Sequence, residues 1–344
     1  MKRVLCWLLV LGALPLCGCA GRVELALMAV CLGVDADAAG ITLTVKSPDY
    51  AGSGASEEQD GYMTLSAAGS DWTQAVAALQ NQAPMSLQFG QLREVVISQN
   101  ALENMPPYEL LGRIDQLPGV RSHALVTVCP GTAKEFVENQ KPVIGKRLSK
   151  YLDISMQYWE RQGCIPATSL ACALRDLSGS WRCPMLAWVS GEGQMGGYIL
   201  GEEQNLYLSG REVQLCRLIQ GETQHLLLHR AGRYYSVSPR RRARLTLETR
   251  EGRDTLVLFL PVTAAYSVFE NPPGPGLEET LRQEAEALIG KLQATGCDAL
   301  GFGCAGVRQY ATLLQWQQGD WPARYREADV RVEVDLRFRQ QPIV

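Results

Sequence analysis

The chain has 344 residues, of which 46% are hydrophobic and 20% are charged. This length gives room for roughly two or three domains, and the composition excludes a disulfide-stapled miniprotein and extensive disorder. A net charge of −3 provides no overall positive field for nucleic acid, so we expect no nucleic-acid partner. With only 3 His in the chain, we expect no metal or other cofactor.

The N-terminal segment has the pattern of a lipoprotein signal peptide. A basic start precedes an apolar stretch over 4–16, which falls short of the about 20 residues that cross a bilayer. The end of this stretch resembles a bacterial lipobox, in which Leu16 stands three residues before the cut, Gly18 directly before it, and Cys19 becomes the N-terminus. Cys17 is a rival, but Leu16 directly before it fits the cut poorly. We therefore predict a lipid thioether on Cys19 and a membrane anchor that does not span the bilayer.

The first half of the mature chain is predicted to mix strands with helices. Apolar or alternating runs indicate strands, a turn-rich connection joins the first two as a hairpin, and capping residues such as Asp71 begin helices. The strands fall at 27–34, 41–46, 62–66, 93–98, 124–129, 185–190 and 197–200. The helices begin near 72, 107, 132, 146 and 169.

The second half is predicted to be richer in strands and to close with a helix and a strand. Strands fall at 206–208, 224–230, 233–238, 243–250, 254–262 and 330–338, and helices at 210–220 and 277–295. Gly296 is placed to end the second of these helices. The breaker cluster at 191–194 marks the boundary between the two halves.

Together these elements predict an α+β fold, because strand and helix runs mix without a strict β-α-β rhythm. We expect mixed, largely antiparallel sheets with packed helices, in two or three domains after the signal peptide. The expected division is a signal peptide over 1–18, an N-terminal α+β domain over 19–190, and a C-terminal α+β part over 191–344 with the closing helix and strand.

The cysteines are predicted to be mostly buried thiols. The chain has 11 Cys, of which eight remain once those of the signal and the lipidated Cys19 are set aside. The sequence contains no C-x-x-C pair, the pattern that would suggest a zinc or redox site. Most of the eight cysteines lie inside apolar segments, where a free Cys behaves as a small hydrophobic residue. Cys297 and Cys304, on either side of a Gly-rich turn, are the one pair that merits a test for a disulfide.

Other patterns that could carry chemistry are interpreted as structural. His225 and His229 lie in a predicted strand without the acidic residue of a zinc-protease motif. The basic run at 240–242 and 244 is expected to be a solvated strand face, with contact to an acidic partner or to lipid headgroups as the alternative. Gly301-Phe302-Gly303 lacks the Lys and spacing of a phosphate loop, so we expect a turn that Asp298 caps. No catalytic residue is predicted.

The ordered landmarks resemble the Ger(x)C family, the lipoprotein C subunits of bacterial spore germinant receptors. The resemblance lies in the order and spacing of several modest motifs across nearly the whole mature chain. These are Gly18-Cys19 with Arg22 and Glu24-Leu25, Leu32-Gly33-Val34-Asp35, Phe89-Gly90-Gln91-Leu92 before Val95-Val96-Ile97, Tyr198 to Leu200, and the closing motif of Asp298, Gly301, Phe302, Gly303 and Trp321.

The resemblance implies a non-enzymatic protein on the outer face of the spore inner membrane. It would assemble with integral membrane A-type and B-type receptor subunits and be required for nutrient-triggered germination. The alternative is a lipid-anchored substrate-binding protein of an uptake system, which a deep interlobe cleft with convergent polar groups would favour. An anchored hydrolase would need a pocket with perturbed acids or bases, which the sequence does not reveal.

Overall fold

The computed structural model describes residues 26–49, 61–143, 147–223, 225–230, 232–267 and 276–341. The predicted lipobox residues Leu16, Gly18 and Cys19 lie outside these ranges. Within them, no helix combines the length and the hydropathy that a bilayer crossing needs.

The described ranges contain 15 strands. In chain order they are β1 (Ala26–Met28), β2 (Cys31–Asp37), β3 (Gly40–Pro48), β4 (Tyr62–Gly69), β5 (Ser86–Gln88), β6 (Glu94–Ser98), β7 (Leu125–Cys129), β8 (Met185–Val189), β9 (Met195–Ile199), β10 (Leu206–Ser209), β11 (Leu226–Arg230), β12 (Arg233–Pro239), β13 (Arg244–Arg250), β14 (Arg253–Ser267) and β15 (Asp329–Gln341).

Eleven α-helices lie between these strands in the same ranges. They are α1 (Trp72–Gln82), α2 (Gln99–Asn104), α3 (Pro107–Asp115), α4 (Ala133–Asn139), α5 (Leu148–Arg161), α6 (Leu170–Gly179), α7 (Gly210–Gln220), α8 (Leu277–Ala294), α9 (Phe302–Gly306), α10 (Leu313–Gln317) and α11 (Trp321–Glu327). Helix α1 begins at its predicted cap, where the Asp71 side chain accepts a hydrogen bond from the backbone N–H of Gln74. Helix α7 begins at a cap that was not predicted, Ser209, which forms a capping box with Glu212.

The larger sheet has eight strands in the order β10-β9-β8-β7-β6-β2-β3-β4. The central strands β2, β6, β7 and β8 are parallel, and the outer strands pair antiparallel. Successive side chains of a strand point to opposite faces, so Leu32 and Val95 pack with α1, α2, α3 and α6, whereas Cys31 and Val96 pack with α4. Helix α5 covers the second face beside α4, where Met156 packs against β8. The sheet is therefore buried on both faces at its centre.

The second sheet is built around the long strand β14. Strands β12 and β13 pair antiparallel with different parts of one edge of β14, and β15 runs parallel along its other edge. Helix α8 packs on this sheet through Leu281, Ala285, Leu288 and Leu292 at helical spacing. Both sheets are mixed and both carry packed helices, so the predicted α+β class is confirmed.

The predicted strand over 27–34 is wrong, because the chain forms two strands there. Strand β1 pairs with β5 in a small parallel sheet, and β2 enters the large sheet. Between them, the backbone of Val30 donates to Lys46 of β3 and accepts from Arg93, the residue before β6, so it bridges these two segments of the large sheet. A continuous apolar run cannot reveal this change of partner, since every residue in it is suited to burial.

The predicted domain boundary follows Ser190, but the large sheet continues past this residue. Strands β9 and β10 are the last two strands on one side of the sheet. Residues Ile199 and Leu208 of these strands belong to the hydrophobic core that the second sheet shares with α7 and α8. The two halves are thus joined through β9 and β10.

Candidate functional site

The predicted site residues that the structure describes all lie in the closing motif. Asp298 and Gly301 precede the short helix α9, Phe302 and Gly303 begin it, and Trp321 begins α11. The structure brings these five residues together around the Asp298 carboxylate.

Asp298 is a buried acceptor, with 1% of its surface exposed. Its Oδ1 accepts from the backbone N–H groups of Gly301, at 2.7 Å, and Phe302, at 3.1 Å. Its Oδ2 accepts from the N–H of Gly303, at 2.6 Å, and from Nε1 of Trp321, at 3.2 Å. A carboxylate offers about four lone-pair sites, and all of them are used here. Asp298 therefore holds the turn and ties it to α11.

The two glycines of the motif are required by different constraints. Gly301 has φ +93°, in the left-handed region that favours glycine. Gly303 is helical, but a Cβ atom at this position would lie 2.3 Å from the backbone oxygen of Trp181 and 2.7 Å from Nε1 of Trp321. The absence of a side chain at Gly303 thus allows the backbone of Trp181 and the ring of Trp321 to lie closer to the motif than a Cβ atom would permit.

The backbone of the motif is also bound to the end of the N-terminal half and to α7. The N–H of Cys183, just before β8, donates to the carbonyl of Asp298 at 2.9 Å. The carbonyl of Ala299 accepts from Nε of Arg182 and from Nε2 of Gln220, each at 3.2 Å. Sequence reasoning missed these partners, because nothing local marks a contact between segments so far apart in the chain. The closing motif therefore links α9, α11, α7 and the approach to β8.

The position of Asp298 suits a structural role. Burial raises the pKa of this carboxyl, and the four hydrogen bonds that it accepts act in the opposite direction. With its oxygens enclosed by protein donors, the group cannot reach an outside substrate, as general acid–base catalysis requires.

Comparisons with known proteins give the family. A family model described as the spore germination protein N-terminal domain matches residues 23–190, and one described as spore germination B3/GerAC-like, C-terminal, matches residues 275–341. The matches occur in this order and cover more than half of the chain. The chain belongs to the Ger(x)C family of spore germination proteins.

The fold of this Ger(x)C protein is similar to the crystal structure of the GerBC protein. The two share 13% sequence identity and superpose with a TM-score of 0.56, over 89% of this chain and 96% of the other. No curated protein matches the chain significantly. Family membership indicates a role in spore germination.

All eight cysteines in the described ranges of this Ger(x)C protein are free thiols, including Cys297 and Cys304. The neighbour of Cys297 is Cys183, whose thiol hydrogen-bonds with it. This shared hydrogen bond raises the pKa of Cys183 and lowers the pKa of Cys297. The sequence singled out Cys304 instead, because proximity in sequence is visible and proximity across the two halves is not.

The histidines and the basic run occupy strands and their ends. His229 lies in β11, with its ring centroid 4.8 Å from that of Tyr234. Arg240 forms an ion pair with Asp335, and Arg244 lies 5.7 Å above the ring of Phe259. Among the described residues, no group of three or more His, Cys, Asp or Glu side chains could hold a metal ion.

A second buried carboxylate, which the sequence did not single out, lies on the large sheet. Glu94 begins β6 and is 1% exposed. Its Oε1 accepts from Oγ1 of Thr127 and its Oε2 from Nε2 of Gln140, both at 2.7 Å. An acidic residue inside an otherwise apolar strand is a signal that could have identified it, because burying an acid is costly without such partners.

Stability is expected to depend on pH through Glu94. Burial raises the pKa of Glu94 above its ordinary 4.5, while the bonds from Thr127 and Gln140 lower it. Because the folded state then holds the proton more tightly than the unfolded state, this contribution to stability falls as pH rises from 4.5 through the raised pKa. Urea unfolding of the wild type and of Glu94→Gln across this range should show that the free energy of unfolding of the variant increases relative to that of the wild type as pH rises. A difference that stays constant with pH would contradict the expectation.

Proposed function

We propose that this chain is a lipid-anchored, non-enzymatic subunit of a spore germinant receptor, required for nutrient-triggered germination. It would lie on the outer face of the spore inner membrane with integral membrane A-type and B-type subunits. The observation that carries the proposal is the ordered match of both spore germination family models to a chain whose residues 16–19 resemble a lipobox. The proposed domains are the signal peptide over 1–18, a first domain over 19–190, at whose end the first family model also stops, and a second part over 191–344, whose strands β9 and β10 complete the large sheet of the first domain.

The anchor has a simple physical role. Each buried CH₂ contributes about 0.8 kcal/mol to membrane attachment, so more than one acyl chain on Cys19 would hold the protein durably. Confinement to the membrane plane raises the effective concentration of the chain near membrane partners, so that a modest interface suffices for assembly.

The groove between the two halves does not favour the alternative of an uptake-system binding protein. It has a volume of about 490 Å³ and contains charged side chains that pair with one another. Arg217 lies 3.3 Å from both Glu160 and Glu222, and Arg175 lies 2.8 Å from Asp176. The six charged side chains that line the groove are thus all engaged in ion pairs with one another, and the Arg217–Glu160 pair joins α5 to α7 across the halves.

The proposal is tested by germination. In a sporulating host whose other germinant receptors are deleted, spores should respond to nutrient when they carry the wild-type chain with its cognate A-type and B-type subunits. Replacing the chain with Cys19→Ala should abolish or strongly reduce the response, because the subunit loses its anchor. Cys17→Ala is the matched control and should leave the response intact. A normal response from spores that lack the chain altogether would contradict the role.

A further inference from the structure

Helix α5 buries one apolar face and exposes another. Leu148, Leu152 and Met156, which follow one another at every fourth residue, are buried against the body of the protein. Ile154 and Tyr158 lie on the opposite side of the helix and are 57% and 59% exposed. Two large apolar side chains one turn apart on an exposed helix face indicate an interaction surface.

Three exposed basic side chains extend this face: Arg147, directly before the helix, Lys150 and Arg161. At about 100° per residue, these three and the apolar Ile154 and Tyr158 fall within about 80° of the helix circumference. We call these five residues the α5 stripe. At a rise of about 1.5 Å per residue, it runs for about 21 Å along the helix axis.

The α5 stripe contains no carboxylate, because the acids of the helix lie beside it and are paired. Asp153 lies 3.6 Å from Arg93, and Glu160 lies 3.3 Å from Arg217. The three cations of the stripe form no ion pair with any residue that the structure describes. Unpaired cations around apolar and aromatic side chains match an anionic lipid surface, whose headgroups attract Lys and Arg and whose interface accepts the apolar side chains.

The proposed lipid anchor enters the fold close to this helix. Cys19 and Ala26, the first residue of β1, are seven positions apart in the sequence. An extended chain covers at most about 3.6 Å per residue, so the bilayer would lie within about 25 Å of Ala26. Four residues after Ala26, Val30 packs against Leu148 and Leu152 in the first turns of α5. The tether therefore brings the membrane to the part of the molecule that carries the stripe.

Contacts with the large sheet fix the orientation of α5. The backbone N–H of Leu148 donates to the hydroxyl of Tyr62 at the start of β4. Arg93, directly before β6, pairs with Asp153 in the middle of the helix. The α5 stripe is thus held on the side of the helix that faces away from the sheet.

We propose that the α5 stripe rests on the anionic bilayer to which Cys19 is tethered. Ile154 and Tyr158 would enter the interface, and the three cations would lie against the phosphate headgroups. Each cation near the surface favours the docked state by about fivefold. The inference rests on the proposed lipid anchor and adds which face of the chain meets the membrane.

The test is photo-crosslinking of the full lipidated chain on vesicles of phosphatidylcholine and phosphatidylglycerol in equal parts. The photoreactive amino acid p-benzoylphenylalanine replaces Tyr158 in one variant and Tyr108 in its matched control. Tyr108 lies on α3, on the opposite face of the large sheet, and is 57% exposed, so the two positions are almost equally open to solvent. Mass analysis after digestion should find phospholipid adducts at position 158 at least about fivefold more often than at position 108.

A change of charge tests the role of the cations. Lys150→Glu should reduce the adducts at position 158 by at least about fivefold, and vesicles of phosphatidylcholine alone should do the same. Arg233→Glu makes the same charge change at an exposed residue of β12 in the second sheet. This control should leave the adducts within about twofold of their original amount.

Three outcomes would overturn the inference: no adduct at position 158, equal adducts at positions 158 and 108, or adducts that Lys150→Glu leaves unchanged. The N-terminal peptide in the same digest separates this failure from a failure of the proposed function. A thioether on Cys19 without adducts at position 158 would overturn the orientation alone. An unacylated Cys19 would contradict the proposed anchor and the inference with it.

Discussion

Replacing Asp298 with Asn is expected to destabilise the folded chain by about 3–5 kcal/mol. The side chains have nearly the same shape, but Asn offers one acceptor oxygen and one NH₂ group. At this site the NH₂ group would face either the N–H groups of Gly301 and Phe302 or those of Gly303 and Trp321, which now donate to the carboxylate. Buried donors would lose their acceptor, and a further donor would be buried beside them.

The measurement is urea unfolding of the full chain, followed by circular dichroism. The matched control is Asp71→Asn, the same substitution at an exposed helix cap, where the side chain accepts one bond from the backbone of Gln74. Asn and Asp cap helices about equally well, so this control should change stability by no more than about 0.5 kcal/mol. If the two variants lost equal stability, the role assigned to Asp298 would be wrong.

Replacing Gly303 with Ala is expected to destabilise the chain by about 1–3 kcal/mol, although Ala ordinarily favours helices. The added methyl group would lie 2.3 Å from the backbone oxygen of Trp181. Because this neighbour is backbone, it cannot rotate away, and the two halves of the chain must shift apart at this point.

A second glycine provides a control with the opposite sign. Gly290 lies inside helix α8, and a Cβ atom there would have no neighbour within 4 Å. Gly290→Ala should therefore stabilise the chain by about 0.5–1 kcal/mol in the same unfolding experiment, through helix propensity alone. A stabilising Gly303→Ala would show that the close approach at Trp181 does not constrain this residue.

The elements of the fold were predictable where periodicity is strong. The alternation over 330–338 predicted a strand, and β15 includes those residues. The predicted helix over 277–295 matches α8, and Gly296 follows it with φ +69°. Such patterns are local, because one strand or helix face is buried over its whole length.

Pairing partners and short elements could not be predicted in this way. Alternation in β15 shows that one face is buried, but not that the strand runs parallel to β14. The short helices α2, α9, α10 and α11 have too few turns to display a period, and α9 depends on the buried Asp298 for its start. Tertiary contacts decide these elements, and a single sequence does not display them.

The groups around the buried Glu94 illustrate the same limit. Glu94 lay in a predicted strand and Thr127 in another, and Gln140 followed a predicted helix. Their contact depends on β6 and β7 being neighbours and on α4 returning across the sheet. The residues of the closing motif were identified through a family resemblance. The spacing of residues in a family motif reflects contacts in the folded protein, so it supplies tertiary information that local periodicity lacks.

The central claim is that a lipid on Cys19 holds this chain at the spore membrane. Mass analysis of the N-terminal peptide of the chain, purified from the membrane fraction of spores, tests it most directly. The account predicts a peptide that begins at Cys19 and carries a diacylglyceryl thioether, and a Cys19→Ala chain that lacks the lipid and leaves the membrane fraction. A wild-type chain that is unacylated and recovered in the soluble fraction would contradict the account.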